Sequence, residues 1–103
     1  MPAGVTTSEL VSVIAGLSAD PEVHGILLQH PVPAQIDERA AFEAIAPGKD
    51  VDGVTMHSFA AMAFGLPGFA SCTPGAIMRL LDDLPTPSYQ GVGSVCQAAI
   101  VAA

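Results

Sequence analysis

The sequence predicts an α/β fold, in the form of a helix-rich fragment of a parallel-sheet domain. A short apolar segment at residues 24–29 (HGILLQ) lacks the alternation of a half-exposed strand, which predicts a strand buried on both faces. Helix signals lie before and after this segment. The order helix, buried strand, helix is typical of domains built on a parallel sheet.

A lone buried strand needs neighbours for its N–H and C=O groups, and the sequence offers only a weak partner at residues 98–103. We therefore expect part of a larger sheet domain. The chain changes character after Leu84, so we expect a partial domain over residues 1–84 and a divergent C-terminal tail over residues 85–103.

The first two helices are predicted from their capping residues. Thr6-Thr7-Ser8-Glu9 matches a capping box, and the helix that follows is expected to end at Asp20-Pro21. Asp37 is the expected N-cap of a second helix over residues 38–45, which turns Phe42 and Ile45 inward.

Two further helices are expected in the second half. Ser58 is the predicted N-cap of a third helix that runs to Phe64, is apolar on every side and is expected to be covered. Thr73 is the predicted N-cap of a fourth helix, with Pro74 at its first position. Its apolar stripe consists of Ile77, Leu80 and Leu81.

Composition and residue spacing argue against several classes of function. Ten acidic residues and three basic residues give a net charge of −7, which disfavours nucleic acid and anionic membranes as partners. No apolar run reaches the roughly 18 residues of a membrane span, and no secretory signal begins the chain, so a cytoplasmic protein is expected. The two cysteines form no C-x-x-C pair and the three histidines lack metal-ligand spacing, so we expect free thiols and no metal.

Three motifs carry the functional information. They are Gln-x-Pro-x-Pro at residues 29–33, Lys-Asp-Val-Asp-Gly at residues 49–53, and Cys-Thr-Pro with Ile-Met at residues 72–78. Each has a purely structural alternative: a strand-end glutamine that bonds to backbone, acids of a solvated loop, and a plain helix cap. If the strand is real, Gln29 lies at its carboxyl end, where α/β proteins bind ligands.

In order and spacing, these motifs resemble the bifunctional methylenetetrahydrofolate dehydrogenase/methenyltetrahydrofolate cyclohydrolase family over about residues 5–83. The resemblance implies an enzyme of one-carbon metabolism that oxidises 5,10-methylenetetrahydrofolate with NADP. It then hydrolyses the methenyl product to 10-formyltetrahydrofolate. The full-length family enzyme is expected to be a homodimer.

The resemblance also implies roles for individual residues. Gln29 matches the glutamine that lies beside the catalytic lysine and hydrogen-bonds in the folate site. Asp52 matches the pterin-binding aspartate, because a carboxylate suits the adjacent N–H donors of a pterin. Thr73 matches a threonine that contacts the cofactor, and His30 is assigned to the folate pocket by adjacency. Asp50 is expected to tie the loop to backbone or to Lys49.

The chain also departs from the family pattern. The family's catalytic lysine belongs to a Tyr-x-x-x-Lys motif that neither Lys49 nor Tyr89 fits. The Rossmann nucleotide-binding domain with its glycine-rich loop is expected to be lacking, and residues 91–93 do not restore its fingerprint. Ser58 and Ala60 stand where family members commonly carry Asn and Gly, which weakens any ligand role for this helix.

Two alternatives to a fragment of the enzyme stay open. One is a small non-catalytic module that binds a pterin or a partner protein through its apolar third helix. The other is the product of a truncated or mis-joined reading frame. Folding alone with folate binding but no turnover would favour the module, whereas the coding DNA on both sides would identify a damaged frame.

We predict that the purified chain has neither dehydrogenase nor cyclohydrolase turnover, because it lacks the proton-transfer lysine of the family pattern. Removing such a group commonly lowers rates by orders of magnitude, about 10²–10⁴-fold. Spectrophotometric assays of methenyltetrahydrofolate formation and decay would measure this. Turnover near that of full-length family enzymes, in a preparation free of host enzyme, would contradict the prediction.

Overall fold

The computed structural model describes residues 4–83, apart from the side chains of residues 81 and 82. Within this range the chain forms four α-helices: α1 (Thr7–Ala19), α2 (Glu38–Glu43), α3 (Met56–Phe64) and α4 (Cys72–Asp82). A short 3-10 helix, Pro47–Lys49, lies between α2 and α3. The predicted tail and the strand partner at residues 98–103 lie outside the described residues.

The predicted caps of the first two helices are confirmed. The Thr6 hydroxyl accepts a hydrogen bond from Glu9 N at 3.3 Å, and the Glu9 carboxylate accepts one from Thr6 N at 2.8 Å. Asp37 accepts from Ala40 N at 3.0 Å and begins α2. Phe42 and Ile45 are buried, as the apolar pattern predicts. Local side-chain chemistry therefore fixes where both helices begin.

The predicted caps of the last two helices were wrong. The N-cap of α3 is Thr55, whose hydroxyl accepts from Ser58 N at 3.2 Å, so Ser58 lies inside the helix. The first turn of α4 is closed by a bond from Gly75 N to Ser71 O at 3.3 Å. This helix therefore begins at Cys72, and Thr73 lies in its first turn.

Residues 24–29 do not form a strand within the described part of the chain. They make one isolated parallel bridge, between Ile26 and Asp50, supported by a bond from Ile26 N to Lys49 O at 2.7 Å. The parallel sense matches the prediction, but burial on both faces does not, because Leu27 is 58% exposed. Only the side of the segment that carries Ile26 and Leu28 packs into the core.

One hydrophobic core holds the first half of the chain together. α1 packs against α2, and the chain between them adds apolar side chains from the bridge segment and the loop before α2. The buried members are Leu10, Ile14, Ile26, Ile36, Ala41, Phe42 and Ile45. Burial of apolar area of this kind is the main favourable term in folding.

Several predicted apolar faces lie at the surface of the described residues. In α3 only Ser58 and Ala61 are buried, while Phe64 is 79% exposed, so the helix is not covered as expected. Ile77 and Leu80 of the α4 stripe are also exposed. Among residues 4–83, no helix combines the length and the apolar character needed to cross a membrane.

Lys49 links the 3-10 helix to the end of α1. Its ammonium group donates to three carbonyl oxygens of the last turn, those of Leu17 at 3.3 Å, Ser18 at 2.7 Å and Asp20 at 2.6 Å. Helix C-termini present unpaired carbonyls and the negative end of the helix dipole, so a cation there is stabilising. The Ser18 hydroxyl reinforces the same junction by bonding Ala44 O and Ala46 N, both at 3.0 Å.

We predict that Lys49→Met lowers the free energy of unfolding by about 1–3 kcal/mol, because three carbonyl groups lose a charged donor while the aliphatic stem is retained. Arg79→Met is the matched control, since it also removes one positive charge but from an exposed position in α4. Urea denaturation followed by circular dichroism would measure both. Equal losses in the two variants would contradict the assigned role of Lys49.

Candidate functional site

An open cleft of about 440 Å³ is the candidate site. Its walls come from α2, the loop before α3, α3 itself and the start of α4, together with His30. The lining residues are His30, Glu38, Phe42, Asp52, Gly53, Val54, Phe59, Ser71, Thr73 and Pro74. The cleft therefore combines two carboxylates, two phenyl rings, one imidazole and two hydroxyls.

The cleft brings together residues from all three sequence motifs. His30 comes from the Gln-x-Pro-x-Pro motif, Asp52 from the Lys-Asp-Val-Asp-Gly motif and Thr73 from the Cys-Thr-Pro motif. These residues lie far apart in the sequence, and their common position depends on the fold. Gln29, by contrast, is not among the lining residues.

Gln29 is exposed, next to the cleft residue His30. Its side-chain amide donates from Nε2 to His30 O at 3.1 Å, which is the local backbone bond considered as the structural alternative. The His30 ring packs edge-on against Phe42, with the ring centroids 6.0 Å apart and the planes at 90°. This contact attaches the motif to the wall formed by α2.

Asp52 faces the first turn of α4. Its Oδ1 accepts a long hydrogen bond, 3.4 Å, from Cys72 N, and the Cys72 thiol donates to Val51 O at 3.5 Å. Three effects raise the pKa of the Cys72 thiol: side-chain hydrogen bonding with Asp52, partial desolvation, and the negative charge of Asp52. A thiol with a raised pKa is a poor nucleophile at neutral pH, so Cys72 gains no support for a catalytic role.

Asp50 is fully buried, unlike Asp52. All the hydrogen-bond partners of its carboxylate lie on the loop that follows it and at the start of α3. Oδ1 accepts from Val54 N at 3.0 Å. Oδ2 accepts from Thr55 N at 2.9 Å, from the Thr55 hydroxyl at 2.8 Å and from the Ser58 hydroxyl at 2.6 Å. As expected, this carboxylate ties the loop to backbone, but its side-chain partners are hydroxyls and not Lys49.

These bonds keep Asp50 ionised. Burial by itself would raise the pKa of Asp50, but the hydrogen bonds from Ser58, Thr55 and Val54 outweigh burial and hold the pKa of this carboxyl below its ordinary value. An ionised carboxylate only accepts hydrogen bonds, which matches a shell made entirely of donors.

Gly53 allows the loop to approach the start of α4 closely. Its φ of 65° lies in the left-handed region, and a Cβ at this position would stand 2.9 Å from both Phe69 O and Ser71 N. A side chain at Gly53 would therefore obstruct this backbone turn. The close approach joins two of the cleft walls.

An ion pair on α2 links this helix to the loop before α3 and to the start of α3. Arg39 of α2 pairs with Glu43 at 3.0 Å and donates to Val54 O at 3.0 Å, while Glu43 accepts from Met56 N at 2.8 Å. The Arg39 guanidinium also lies 5.8 Å from the centroid of the Phe42 ring. α2 is thereby fixed relative to the loop that carries Asp52 and to the start of α3.

Sequence reasoning missed several lining residues. The sequence pattern places Phe42 in the core and gives no site role to Glu38, Phe59 or Ser71. A detectable signal existed for the α3 cap, because Thr55 directly precedes the helical run and threonine is among the preferred N-cap residues. No local signal marks Phe59 or Ser71, because their place depends on how α3 and α4 pack. Among residues 4–83, no three His, Cys, Asp or Glu side chains are grouped to hold a metal ion.

We predict that folding stability falls in acid because of Asp50. Its folded pKa is depressed, so the unfolded chain takes up the proton first as the pH drops. The stabilisation is therefore complete above about pH 4 and is lost as the pH falls through the depressed value. Urea denaturation at a series of pH values would measure it.

Glu9→Gln is the control for this prediction, because backbone and side-chain hydrogen bonds from Thr6 also lower the pKa of Glu9. The acid-dependent loss that remains in this variant is assigned to Asp50, and a carbon-13 titration of its Cγ would identify the group directly. An Asp50 carboxyl that titrates at or above about 4 would contradict the prediction.

The sequence matches a known protein family. A family model described as "Tetrahydrofolate dehydrogenase/cyclohydrolase, catalytic domain" covers residues 1–52. The chain is 77% identical over 82 residues to "Bifunctional protein FolD 1" of Streptomyces avermitilis, which covers 80% of this chain and 29% of the relative. It is 68% identical over 94 residues to the protein of the same name in Salinispora arenicola, covering 89% of this chain and 34% of the relative.

Solved structures agree with the sequence comparison. The fold matches the bifunctional FolD methylenetetrahydrofolate dehydrogenase/cyclohydrolase of Campylobacter jejuni with a TM-score of 0.73 and 40% identity, over 78% of this chain and 29% of that one. It also matches a 5,10-methylenetetrahydrofolate dehydrogenase of the silkworm Bombyx mori, with a TM-score of 0.74 and 38% identity. The chain thus spans 29–34% of the length of the curated relatives described above. Since the family model covers half of it, this chain belongs to the tetrahydrofolate dehydrogenase/cyclohydrolase family.

Proposed function

We propose that this chain forms part of the folate site of an enzyme that oxidises 5,10-methylenetetrahydrofolate and hydrolyses the methenyl product to 10-formyltetrahydrofolate. The observation that carries the proposal is the cleft that joins His30, Asp52 and Thr73, which come from three separate motifs. Family membership supports the reaction class, and the cleft supports the kind of ligand. The resemblance further implies a homodimeric, cytoplasmic full-length enzyme.

The chemistry of the cleft suits a pterin ring. A pterin presents a ring N–H beside an exocyclic amine, and the two oxygens of a carboxylate such as Asp52 can accept from both. The phenyl rings of Phe42 and Phe59 supply apolar surface for the flat faces of the ring system. Glu38 is a second acceptor in the same cleft, so the lining favours a ligand rich in N–H donors.

His30 and Gln29 are proposed to act at the end of the cleft next to the reacting carbon. The His30 ring lines the cleft and is oriented by its contact with Phe42. Gln29 Nε2 already donates to His30 O, which leaves Oε1 to accept from the ammonium group of a lysine. We therefore keep Gln29 as the residue that orients the family's catalytic lysine, which another part of the enzyme must supply.

Thr73 is proposed to contact NADP. Its hydroxyl lies in the first turn of α4 at the edge of the cleft, a position that suits a polar group of a dinucleotide. NADP, when bound, accepts the hydride from the methylene carbon. Within residues 4–83, Thr73 and the neighbouring Ser71 hydroxyl fit such a contact, but these residues form no glycine-rich phosphate-binding loop. Most of the dinucleotide site must therefore come from elsewhere.

We predict that the purified chain binds folate and that Asp52→Asn weakens the binding by about 1–3 kcal/mol, because an amide donor replaces one acceptor oxygen opposite the pterin N–H groups. Isothermal titration calorimetry would measure the dissociation constants. Asp83→Asn is the matched control, since Asp83 is exposed and lies outside the cleft. Equal affinities in the Asp52→Asn variant and the unmodified chain would overturn the assignment.

The reaction itself is tested in a chimera that joins this chain to the upstream and nucleotide-binding segments of a related enzyme. Restored dehydrogenase and cyclohydrolase turnover, with a raised KM for Asp52→Asn, would support the proposal. Folate binding by the chain without any turnover of a folded chimera would favour a non-catalytic pterin-binding module.

A further inference from the structure

The loop that presents Asp52 to the cleft is fastened from its buried side. Asp50 and the loop that follows it, residues 51–55, lie between the 3-10 helix and α3, and the Asp50 carboxylate is 0% exposed. Its two oxygens accept four hydrogen bonds, all from Val54, Thr55 and Ser58. In addition, Gly53 N donates to Asp50 O at 3.2 Å. The backbone that follows Asp52, at residues 53–55, is therefore bonded to a single residue.

The hydroxyl groups around Asp50 have fixed roles. The Thr55 hydroxyl accepts from Ser58 N as the cap of α3, so its own proton is free to point to Asp50 Oδ2, 2.8 Å away. The Ser58 hydroxyl lies 2.6 Å from the same oxygen and donates to it. Three donors converge on Oδ2 and one reaches Oδ1, so both oxygens of the carboxylate are hydrogen-bonded. The start of α3 and the Asp52 loop are thus one hydrogen-bonded unit.

We propose that Asp50 is a positioning residue, whose carboxylate fixes the loop geometry that turns Asp52 toward the cleft. The ligand side of this inference rests on the proposed folate function, but the order of the loop does not. Two of the four donors to Asp50 are hydroxyls. Removing the Ser58 hydroxyl therefore loosens the unit without changing any residue that lines the cleft.

The test compares Ser58→Ala with Ser18→Ala in the full chain. Each serine hydroxyl donates one hydrogen bond, that of Ser58 to Asp50 Oδ2 and that of Ser18 to Ala44 O, so Ser18 connects α1 to the C-cap of α2 and not to the Asp52 loop. Both variants lower stability, and only Ser58→Ala removes a donor from Asp50. Asp50→Asn is a stronger variant, but it places an amide donor among four donors, so the serine pair decides the question if it fails to fold.

The first readout is amide exchange and nitrogen-15 relaxation of Val54 and Thr55, with Leu10 and Ile14 in the core as internal references. In Ser58→Ala we expect exchange at the two loop amides to accelerate at least about tenfold relative to the references. The reason is that local opening of the loop no longer has to break the hydrogen bond from the Ser58 hydroxyl to Asp50. Ser18→Ala should leave this ratio unchanged. The same ratio in both variants would overturn the positioning role, whether or not folate binds.

The second readout is folate affinity measured by calorimetry. We expect Ser58→Ala to weaken binding about tenfold, as for the loss of one good hydrogen bond, and Ser18→Ala to change it less than about twofold. Thr55→Ser, which keeps the hydroxyl, should retain affinity, whereas the isosteric Thr55→Val should lose it. Equal affinity in all variants would overturn the link to the ligand. Absence of folate binding by the unmodified chain would overturn the proposed function, and the exchange data would still decide the loop.

Discussion

The buried carboxylate of Asp50 is the interaction on which the rest of the second half depends. A buried charge is costly unless it is fully hydrogen-bonded, and here backbone N–H groups and hydroxyls satisfy both oxygens. The arrangement fixes the cap of α3 and the loop that carries Asp52 in one step. Because every donor comes from residues 54–58, the unit forms locally once Asp50 is buried.

The neighbouring Lys49 connects elements of the first half of the chain. Its ammonium group closes the end of α1, while its carbonyl accepts from Ile26 N in the only backbone bridge recorded for residues 24–29. Two consecutive residues of opposite charge thus bond to different elements, Lys49 to the end of α1 and Asp50 to the start of α3. The Lys-Asp-Val-Asp-Gly motif is therefore a structural junction that also places the half-buried Asp52 in the lining of the cleft.

The few basic side chains of this acidic chain also bond to the backbone. Arg39 and Lys49, two of the three basic residues, donate to backbone carbonyls. The cleft itself is lined by Asp52 and Glu38 with no arginine or lysine among its residues in the described part of the chain. Its electrostatic character therefore favours N–H donors over phosphate groups, which agrees with a pterin-binding role for this wall.

The sequence by itself determined the features that depend on near neighbours. The Thr6–Glu9 capping box, the Asp37 cap and the three motifs are local, so their residue types suffice to predict them. Tertiary structure decided the rest. The choice of Thr55 over Ser58 as a cap depends on where the chain leaves the extended conformation, because Thr55 is extended and Ser58 is already helical, and the exposure of Leu27 depends on which side of its segment meets α1 and α2. The meeting of His30, Asp52 and Thr73 at one cleft, with Gln29 outside its lining, required the packing of segments distant in sequence, which no local pattern encodes.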